Sequence, residues 1–441
     1  MLGRVDLIDC PCLDLRANVP FTPLRRLIRH VQDSAMPMST KLIPAVIAIV
    51  MCCGQTVHAQ FATTSSLPNE GELNRIGLTM AWWAQASINP RKDKIEYFTA
   101  DEQCVYLQSS AGIVTCLHGE QGRKLWYRLV GIPDQQSFPV TTNEKEVLVT
   151  IGVNLFSLKK DTGQTLWQLT CDEPPSTSPD MDDNFIYVGT IDGSVWGYNL
   201  LEVQKLYPRG MLPQWTIRTR MWNFQTPDLI ISPPIPHGDN VVFASRRGIV
   251  YSLVGANKQL RWQLEAGNEI HTPLGHSGDR IFVADRNARM LCVNIESGSV
   301  LWTFAGGSPI NQQPRVVGND VYVVPHREGL TSVAINSGGV NWQQPQATAF
   351  VTATDAHVYA RDHGGNLLVL DRESGQILSS VNLRNFPLQV SNDRTDRIYL
   401  ASTTGTVIAL REIGSEYPAY HLYPERRPIL PEFASEEAAE E

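Results

Sequence analysis

A unit of about forty residues recurs along most of this chain, and the repeat constrains the fold more than any other feature of the sequence. Each unit begins with a short run of β-branched, aliphatic and aromatic residues. Eight such runs start at Val105, Val147, Ile186, Val241, Ile281, Val321, Val358 and Ile398. Their spacing is nearly even, except that the step from the third start to the fourth is distinctly longer than the others. The sequence therefore predicts eight similar structural units.

A glycine-containing turn and a second strand follow these runs. Residues 193–198 and 405–410 show the alternation of apolar and polar side chains that is typical of a β-strand. The glycine supplies the positive φ that a tight hairpin needs. A proline-marked segment precedes most runs, and proline suits the start or edge of a strand because it lacks an N–H donor.

A tryptophan closes most units. The spacing Gly-x-x-x-Trp occurs four times, Trp262 holds the same place after Lys258, and Trp215 is the candidate in the longer third unit. One indole buries about 150–250 Å² and can dock against the next unit. The predicted docking residues are Trp126, Trp167, Trp215, Trp262, Trp302 and Trp342.

Four short strands in about forty residues match the size of one β-propeller blade. A parallel β-solenoid and a pair of β-sandwiches are the alternatives, but a solenoid coil is shorter and sandwiches would not repeat a tryptophan at one register. We expect an all-β fold, an eight-bladed β-propeller of four-stranded antiparallel blades, with a seven-bladed ring as the alternative. The repeat resembles the PQQ-like β-propeller repeat family, most clearly over residues 281–302 and 147–167.

The last unit lacks its closing strand, and an unassigned segment near the N-terminus supplies one. Residues 78–86 read as a strand that carries Trp82 and Trp83 near the docking register. Pairing the two ends of the chain removes the open edges of the ring. We therefore predict that the N-terminal strand closes the last blade, in a propeller that spans residues 78–411.

The segment ahead of the propeller has the pattern of an export signal. Residues 42–53 are apolar, but a helix of this length is about 18 Å long, too short for a membrane core of roughly 30 Å. A basic residue precedes the run, and small residues follow it up to Ala59, as in a secretory signal peptide. We predict a signal peptide over residues 36–59 and no transmembrane helix in the mature chain.

Three further assignments complete the domain organisation. Residues 1–35 are interpreted as a misassigned start or an extended leader, and residues 60–77 as a linker. Residues 412–441 are predicted to be an acidic tail without regular structure. Met51-Cys52 ahead of Cys53 departs from the small residues of a lipobox, which argues against a lipid anchor on Cys53.

Charge and motifs exclude several functions. A net charge of -8 argues against nucleic-acid binding, which usually requires a basic face. PQQ-dependent dehydrogenases share the repeat and use adjacent cysteines near the quinone, but the one such pair, Cys52-Cys53, lies in the predicted signal peptide. Residues 180–184 lack the pattern of a calcium loop, and His271 and His276 lack the spacing of a zinc motif. We expect neither a cofactor nor a metal, and no enzymatic activity.

The export signal and the repeat together look like the BamB-type exported propellers of the envelope. That resemblance implies a noncatalytic scaffold that presents one face of its ring to another envelope protein. A quinoprotein dehydrogenase and a propeller that binds carbohydrate or cell wall are the alternatives.

The third unit is the place where a partner site is expected, because loops on a rigid scaffold commonly carry function. Its extra residues are rich in aromatic and arginine side chains, the types enriched at binding hot spots. The candidate contacts are Tyr207, Arg209, Met211, Trp222 and Phe224. The alternative for Trp222 and Phe224 is that they pad blade three against blade four.

Four cysteines remain after the predicted cleavage site. Cys104 and Cys116 lie nearly symmetrically about the turn near Gly112, so that their side chains could face each other and form a disulfide in an oxidising compartment. Two buried free thiols are the alternative.

Overall fold

The protein is an eight-bladed β-propeller. The computed structural model describes residues 67–212 and 214–422, in which 32 strands form eight four-stranded antiparallel sheets. The eight β-rich runs of the repeat are the second strands of the eight blades, and the predicted fold class is confirmed. The seven-bladed alternative is excluded.

The strands follow one another in chain order. The first strand is β1 (Leu78–Gln85). Blades one and two are β2 (Ile95–Ala100), β3 (Cys104–Ser109), β4 (Ile113–His118), β5 (Lys124–Leu129), β6 (Ser137–Thr142), β7 (Glu146–Ile151), β8 (Asn154–Lys159) and β9 (Thr165–Thr170). Blades three and four are β10 (Asp180–Met181), β11 (Phe185–Gly189), β12 (Ser194–Asn199), β13 (Arg220–Gln225), β14 (Ile235–His237), β15 (Asn240–Ser245), β16 (Ile249–Val254) and β17 (Leu260–Glu265).

The second half of the ring has the same order. Blades five and six are β18 (Gly275–Ser277), β19 (Arg280–Ala284), β20 (Arg289–Asn294), β21 (Val300–Ala305), β22 (Arg315–Val317), β23 (Asp320–Val323), β24 (Leu330–Ala334) and β25 (Val340–Gln344). Blades seven and eight are β26 (Ala349–Ala353), β27 (His357–Arg361), β28 (Asn366–Asp371), β29 (Ile377–Asn382), β30 (Leu388–Gln389), β31 (Ile398–Ala401) and β32 (Thr406–Glu412), with β1 as the fourth strand of blade eight.

Blade eight joins the two ends of the chain. β1 pairs antiparallel with β32 from Leu78↔Glu412 to Gln85↔Thr406, which confirms the predicted closure. Trp82 is buried against blade one, where its indole N–H donates to the Gly119 carbonyl at 2.7 Å. Trp83, the other residue predicted to close the ring, points to solvent.

The core of the described chain consists of eight apolar clusters, one between each pair of neighbouring blades. The alternating strands predicted from the sequence supply both faces of each sheet to these clusters, which is why the second strands are buried almost throughout. The ring is therefore closed by hydrophobic contact as well as by strand pairing.

The antiparallel order places two kinds of connection at opposite ends of the blades. Turns from the first to the second strand and from the third to the fourth share one end, and all other connections share the other. We call the first end the insertion face, because the extra residues 200–219 of blade three lie there between β12 and β13. The segment before β1 and the segment after β32 also lie at this end.

Both flanking segments are more ordered than the sequence predicts. The expected linker ends in a short helix, α1 (Glu70–Arg75), whose Leu73 is fully buried between blades seven and eight. The expected tail is packed as far as Leu422: Tyr420 bridges to Thr395, and the His421 N–H donates to the Arg394 carbonyl at 2.9 Å. The predicted signal peptide, Cys53 and the glutamates near the C-terminus lie outside the described residues.

The tryptophans dock as the repeat suggests in five of the six expected positions. In the interfaces closed by Trp126, Trp262, Trp302 and Trp342, the indole N–H donates to a backbone carbonyl of the next blade at 2.7 to 3.0 Å. The indole also covers the glycine of that blade's turn, as Trp126 covers Gly163. Trp167 is buried in the same way but without the hydrogen bond. Trp215 does not dock a blade.

Candidate functional site

Blade three departs from the repeat between its third and fourth strands. In blades four and five only a tight turn separates the docking tryptophan from its partner on the third strand, as in Ser252↔Trp262. In blade three the corresponding pair is Gly197↔Trp222, and a much longer stretch of chain lies between the two residues. The added chain, residues 200–219, replaces the tight turn of the other blades.

The added chain has its own local structure. Helix α2 (Leu200–Leu206) begins after Asn199, whose side chain accepts a hydrogen bond from the Glu202 N–H at 2.9 Å. Two turns of 3₁₀ helix follow, Tyr207–Arg209 and Thr216–Arg218. Gly210 ends the first of them with a φ of 64°, which glycine adopts without strain. The Asn199 N–H, bonded to the Thr219 carbonyl, joins the two ends of the insertion at 2.7 Å.

The inner side of the insertion is anchored by Trp167 of blade two. Leu200, Val203 and Leu206 are buried, and the first two share an apolar cluster with Trp167, whose side chain is 1% exposed. The Trp167 indole N–H has no hydrogen-bond partner, because the insertion has displaced the turn that accepts this bond elsewhere. Packing against helix α2 replaces the missing hydrogen bond with apolar contact.

Trp222, and not Trp215, docks blade three against blade four. Trp222 is 7% exposed, and its indole N–H donates to the Gly255 carbonyl at 2.7 Å. The segment around Trp215 was predicted to be the closing strand, but it forms 3₁₀ helix instead. Trp215-Thr216-Ile217 and Trp222-Asn223-Phe224 both carry an apolar residue two places after the indole, as the closing strands of blades two, four and five do, so the local sequence pattern does not separate them.

The five predicted partner contacts divide into two groups. Trp222 and Phe224 lie in the interface of blades three and four, where Phe224 makes edge contacts with Phe243 and Tyr251. This is the padding role that the sequence left as the alternative. Tyr207 and Met211 are half-buried and Arg209 is exposed, all three on the insertion.

Large apolar side chains are exposed on the outer side of the insertion and at the start of β13. Leu201, Trp215, Ile217 and Met221 are 59%, 42%, 66% and 45% exposed. The Arg218 guanidinium lies 5.4 Å from the centre of the Trp215 ring, within the range of a cation–π contact. We call Leu201, Trp215, Ile217 and Met221, with the bases Lys205, Arg209 and Arg218, the insertion surface.

The insertion surface is basic although the chain as a whole is acidic. Its acidic residue Glu202 accepts a hydrogen bond from Lys205 Nζ at 2.9 Å. That bond lowers the pKa of the Glu202 carboxyl, and the positive charges of Lys205, Arg218 and Arg209 lower it further. Three bases around one carboxylate leave a net positive charge beside exposed apolar groups. The prediction that Trp215 docks a blade implied a buried neighbour, so the exposed Ile217 was missed. Leu201 and Arg218 were not among the predicted contacts either.

Two other features of the described chain bear on ligand or metal binding. A cavity of about 790 Å³ lies between blades seven and eight on the opposite face, but its buried Arg361 is held by the carbonyls of Gly365, Leu383 and Phe386. Within residues 67–212 and 214–422, no three His, Cys, Asp or Glu side chains cluster closely enough to hold a metal ion. The insertion surface is therefore the better candidate site.

The ring axis carries a second group of titratable residues. Burial raises the pKa of the Asp180 carboxyl on β10 to about 7, and the Arg394 guanidinium of blade eight partly opposes this effect. Burial also lowers the pKa of His276, on which Arg394 acts as well. The chain around Arg394 thus lies near the inner strand of blade three.

The disulfide that the sequence left open between Cys104 and Cys116 is not formed. Cys104 and Cys116 are free and buried, as the alternative proposed. The strand register pairs Cys104 with His118 and Cys116 with Tyr106, so the two cysteines are diagonal neighbours rather than directly opposite.

None of the helices among the described residues is long and apolar enough to span a bilayer.

Two solved structures are similar to this fold. BamB from Moraxella catarrhalis aligns with 76% of this chain and 97% of its own, with 13% identity and a TM-score of 0.58. The computationally designed Ika8 protein aligns with 75% of this chain and 98% of its own, with 15% identity and a TM-score of 0.59. At such low identity these likenesses show the fold alone, and no curated protein matches the sequence.

A family model matches the sequence itself over most of the propeller. The model, described as outer membrane protein assembly factor BamB, matches residues 110–272 and 264–416. These ranges run from blade one to the end of β32. The chain therefore belongs to the family of the outer membrane protein assembly factor BamB.

Proposed function

We propose that this protein is an exported, noncatalytic scaffold of the cell envelope that binds another protein of the outer-membrane assembly system through its insertion surface. The family membership supports the class of function, and the predicted signal peptide over residues 36–59 supports the compartment. The choice of the partner site is argued from blade three of this chain.

The observation that carries the proposal is the insertion of residues 200–219 with its exposed apolar side chains. Most large apolar residues of the repeat are used to pack one blade on the next. Leu201, Trp215 and Ile217 are not used in this way, yet they stand on a segment that is rigidly anchored by Trp167. Aromatic and arginine residues on a rigid base are the usual centre of a protein interface.

The experiment is crosslinking in intact cells with the full chain, followed by mass spectrometry of the captured proteins. The variant Trp215→Ala combined with Arg218→Glu should lose the crosslink to its partner by about tenfold or more, since a hot-spot pair contributes about 2 kcal/mol or more. Fractionation of the same cells tests the envelope location.

The matched control is Trp83→Ala, because Trp83 is an exposed tryptophan, 50% accessible, at the outer edge of blade eight. This variant should keep the crosslink. The proposal is wrong if both variants capture the same proteins as the wild type, or if the captured protein takes no part in outer-membrane assembly.

A further inference from the structure

We propose that the acidic segment 428–441 of this chain occupies the insertion surface when no partner is bound. The inference deepens the proposed function, because it names a competitor for the same surface. It rests on the position of Leu422, on the length of chain that follows, and on complementary charge.

The described chain ends on the same face as the insertion. β32 runs toward the insertion face, and the residues after it stay there: Ser415 Oγ donates to Asp396 at 3.1 Å, and the Ala419 N–H donates to the same carboxylate at 3.0 Å. The His421 N–H then bonds to the Arg394 carbonyl. Residues 412–422 therefore lead the chain from the edge of blade eight toward the ring axis.

Blade three is within reach from this point. The Arg394 guanidinium is close enough to the Asp180 carboxyl on β10 to act on its pKa. Leu422 follows His421, whose backbone N–H is bonded to the carbonyl of the same Arg394. From β10 to the β12–β13 connection the distance is two to three strand spacings, or about 10–15 Å. Residues 423–441 can extend about 60 Å, at about 3.3 Å per residue.

The chemistry of the segment complements the surface. Residues 428–441 read PILPEFASEEAAEE, with five glutamates, no base, and the apolar residues Ile429, Leu430 and Phe433. On the insertion surface, Lys205, Arg209 and Arg218 all act on Glu202. Arg218 also lies over the exposed Trp215 ring. A tethered segment meets its site at an effective concentration in the millimolar range, so even weak contacts keep it bound.

The test uses a fluorescent peptide of residues 428–441 and the full-length protein. One variant replaces Glu432, Glu436, Glu437, Glu440 and Glu441 with glutamine in the chain itself. The free peptide should bind this variant about tenfold more tightly than the wild type, because the tethered competitor has been weakened. Hydrogen exchange of residues 200–219 should also be faster in the variant than in the wild type.

Adding Arg209→Glu and Arg218→Glu to the glutamine variant should abolish peptide binding. Arg247→Glu serves as the control, because Arg247 is exposed on the turn between β15 and β16 at the opposite face, and it should change nothing. Equal peptide affinity for the wild type and the glutamine variant overturns the inference, as does binding that survives both charge reversals. If Trp215→Ala still loses the partner in cells, the proposed function stands without it.

Discussion

Blade two has two neighbours, and it packs on them in different ways. On one side, Trp126 of blade one covers the Gly163 turn of blade two and donates to the Lys160 carbonyl at 2.7 Å. On the other side, Trp167 of blade two packs against helix α2 of blade three, and its indole N–H has no hydrogen-bond acceptor. A tryptophan at the same register therefore makes its indole hydrogen bond between blades one and two, and lacks it between blades two and three.

The difference shows what the ring requires and what it tolerates. Apolar burial is present at both interfaces, so burial is the common requirement. At the interface of blades two and three, the indole of Trp167 has no hydrogen bond and no glycine turn to cover. The connection of blade three that would supply both has grown into a segment with an exposed outer side. Four predictions test how far this comparison holds.

The largest effect is expected from Gly163→Ala. Gly163 has a φ of 65°, and an added Cβ would lie 2.5 Å from Cδ2 of Trp126. Left-handed strain and the clash with a buried indole together should lower the free energy of unfolding by about 3 kcal/mol, measured by urea denaturation. The control is Gly210→Ala in the insertion, with a φ of 64° and no atom within 4 Å of the added Cβ, which should cost about 1 kcal/mol.

The next effect depends on pH and concerns the inner strand of blade three. The pKa of Asp180 is raised to about 7 in the folded chain from 3.8, so the unfolded chain loses this proton first as pH rises. Stability should therefore fall between about pH 4 and pH 7. Asp180→Asn should remove that fall. The gain in unfolding free energy of this variant over the wild type should be about 2 kcal/mol larger at pH 8 than at pH 5. The control Asp183→Asn, on the exposed turn, leaves Asp180 in place and should keep the fall in stability seen in the wild type.

A smaller effect separates the two indoles directly. Trp126→Phe leaves the Lys160 carbonyl without its indole donor and should cost about 1 kcal/mol more than Trp167→Phe, which removes a buried N–H that has no acceptor. Both changes lose similar apolar volume, so the difference in unfolding free energy isolates the hydrogen bond. Equal costs would show that the two interfaces do not differ in this respect.

The smallest effect is expected on the outer side of the insertion. Ile217→Ser should change the free energy of unfolding by less than about 0.5 kcal/mol, since this side chain is 66% exposed. Leu200→Ser on the buried side of the same insertion should cost several times more. Similar losses in the two variants would mean that the surface is structural.

The regular repeat made the ring predictable from the sequence. The structure of blade three, where the repeat is interrupted, was not predictable in the same way. Val105, Ile281 and the other run starts mark blades because burial on both faces demands apolar residues at regular spacing. The closing strand of blade three was missed because Trp215 satisfied the same local pattern as Trp222. Only the partner across the sheet, Gly197, distinguishes the two, and sequence spacing does not reveal it once the turn has changed length. For the same reason Trp222 and Phe224 were predicted as partner contacts, although they lie in the interface of blades three and four.

The closure of blade eight has a consequence for the order of folding. Its fourth strand, β1, is the first strand in the described chain, whereas β32 is the last. During synthesis or transport β1 therefore precedes its partner by the whole of blades one to seven, which can form while its edge stays unpaired. An unpaired strand edge is a template for aggregation. The pairing of residues 78–85 with β32 is therefore the last strand pairing that becomes available as the chain emerges, and until then the edge of β1 needs protection.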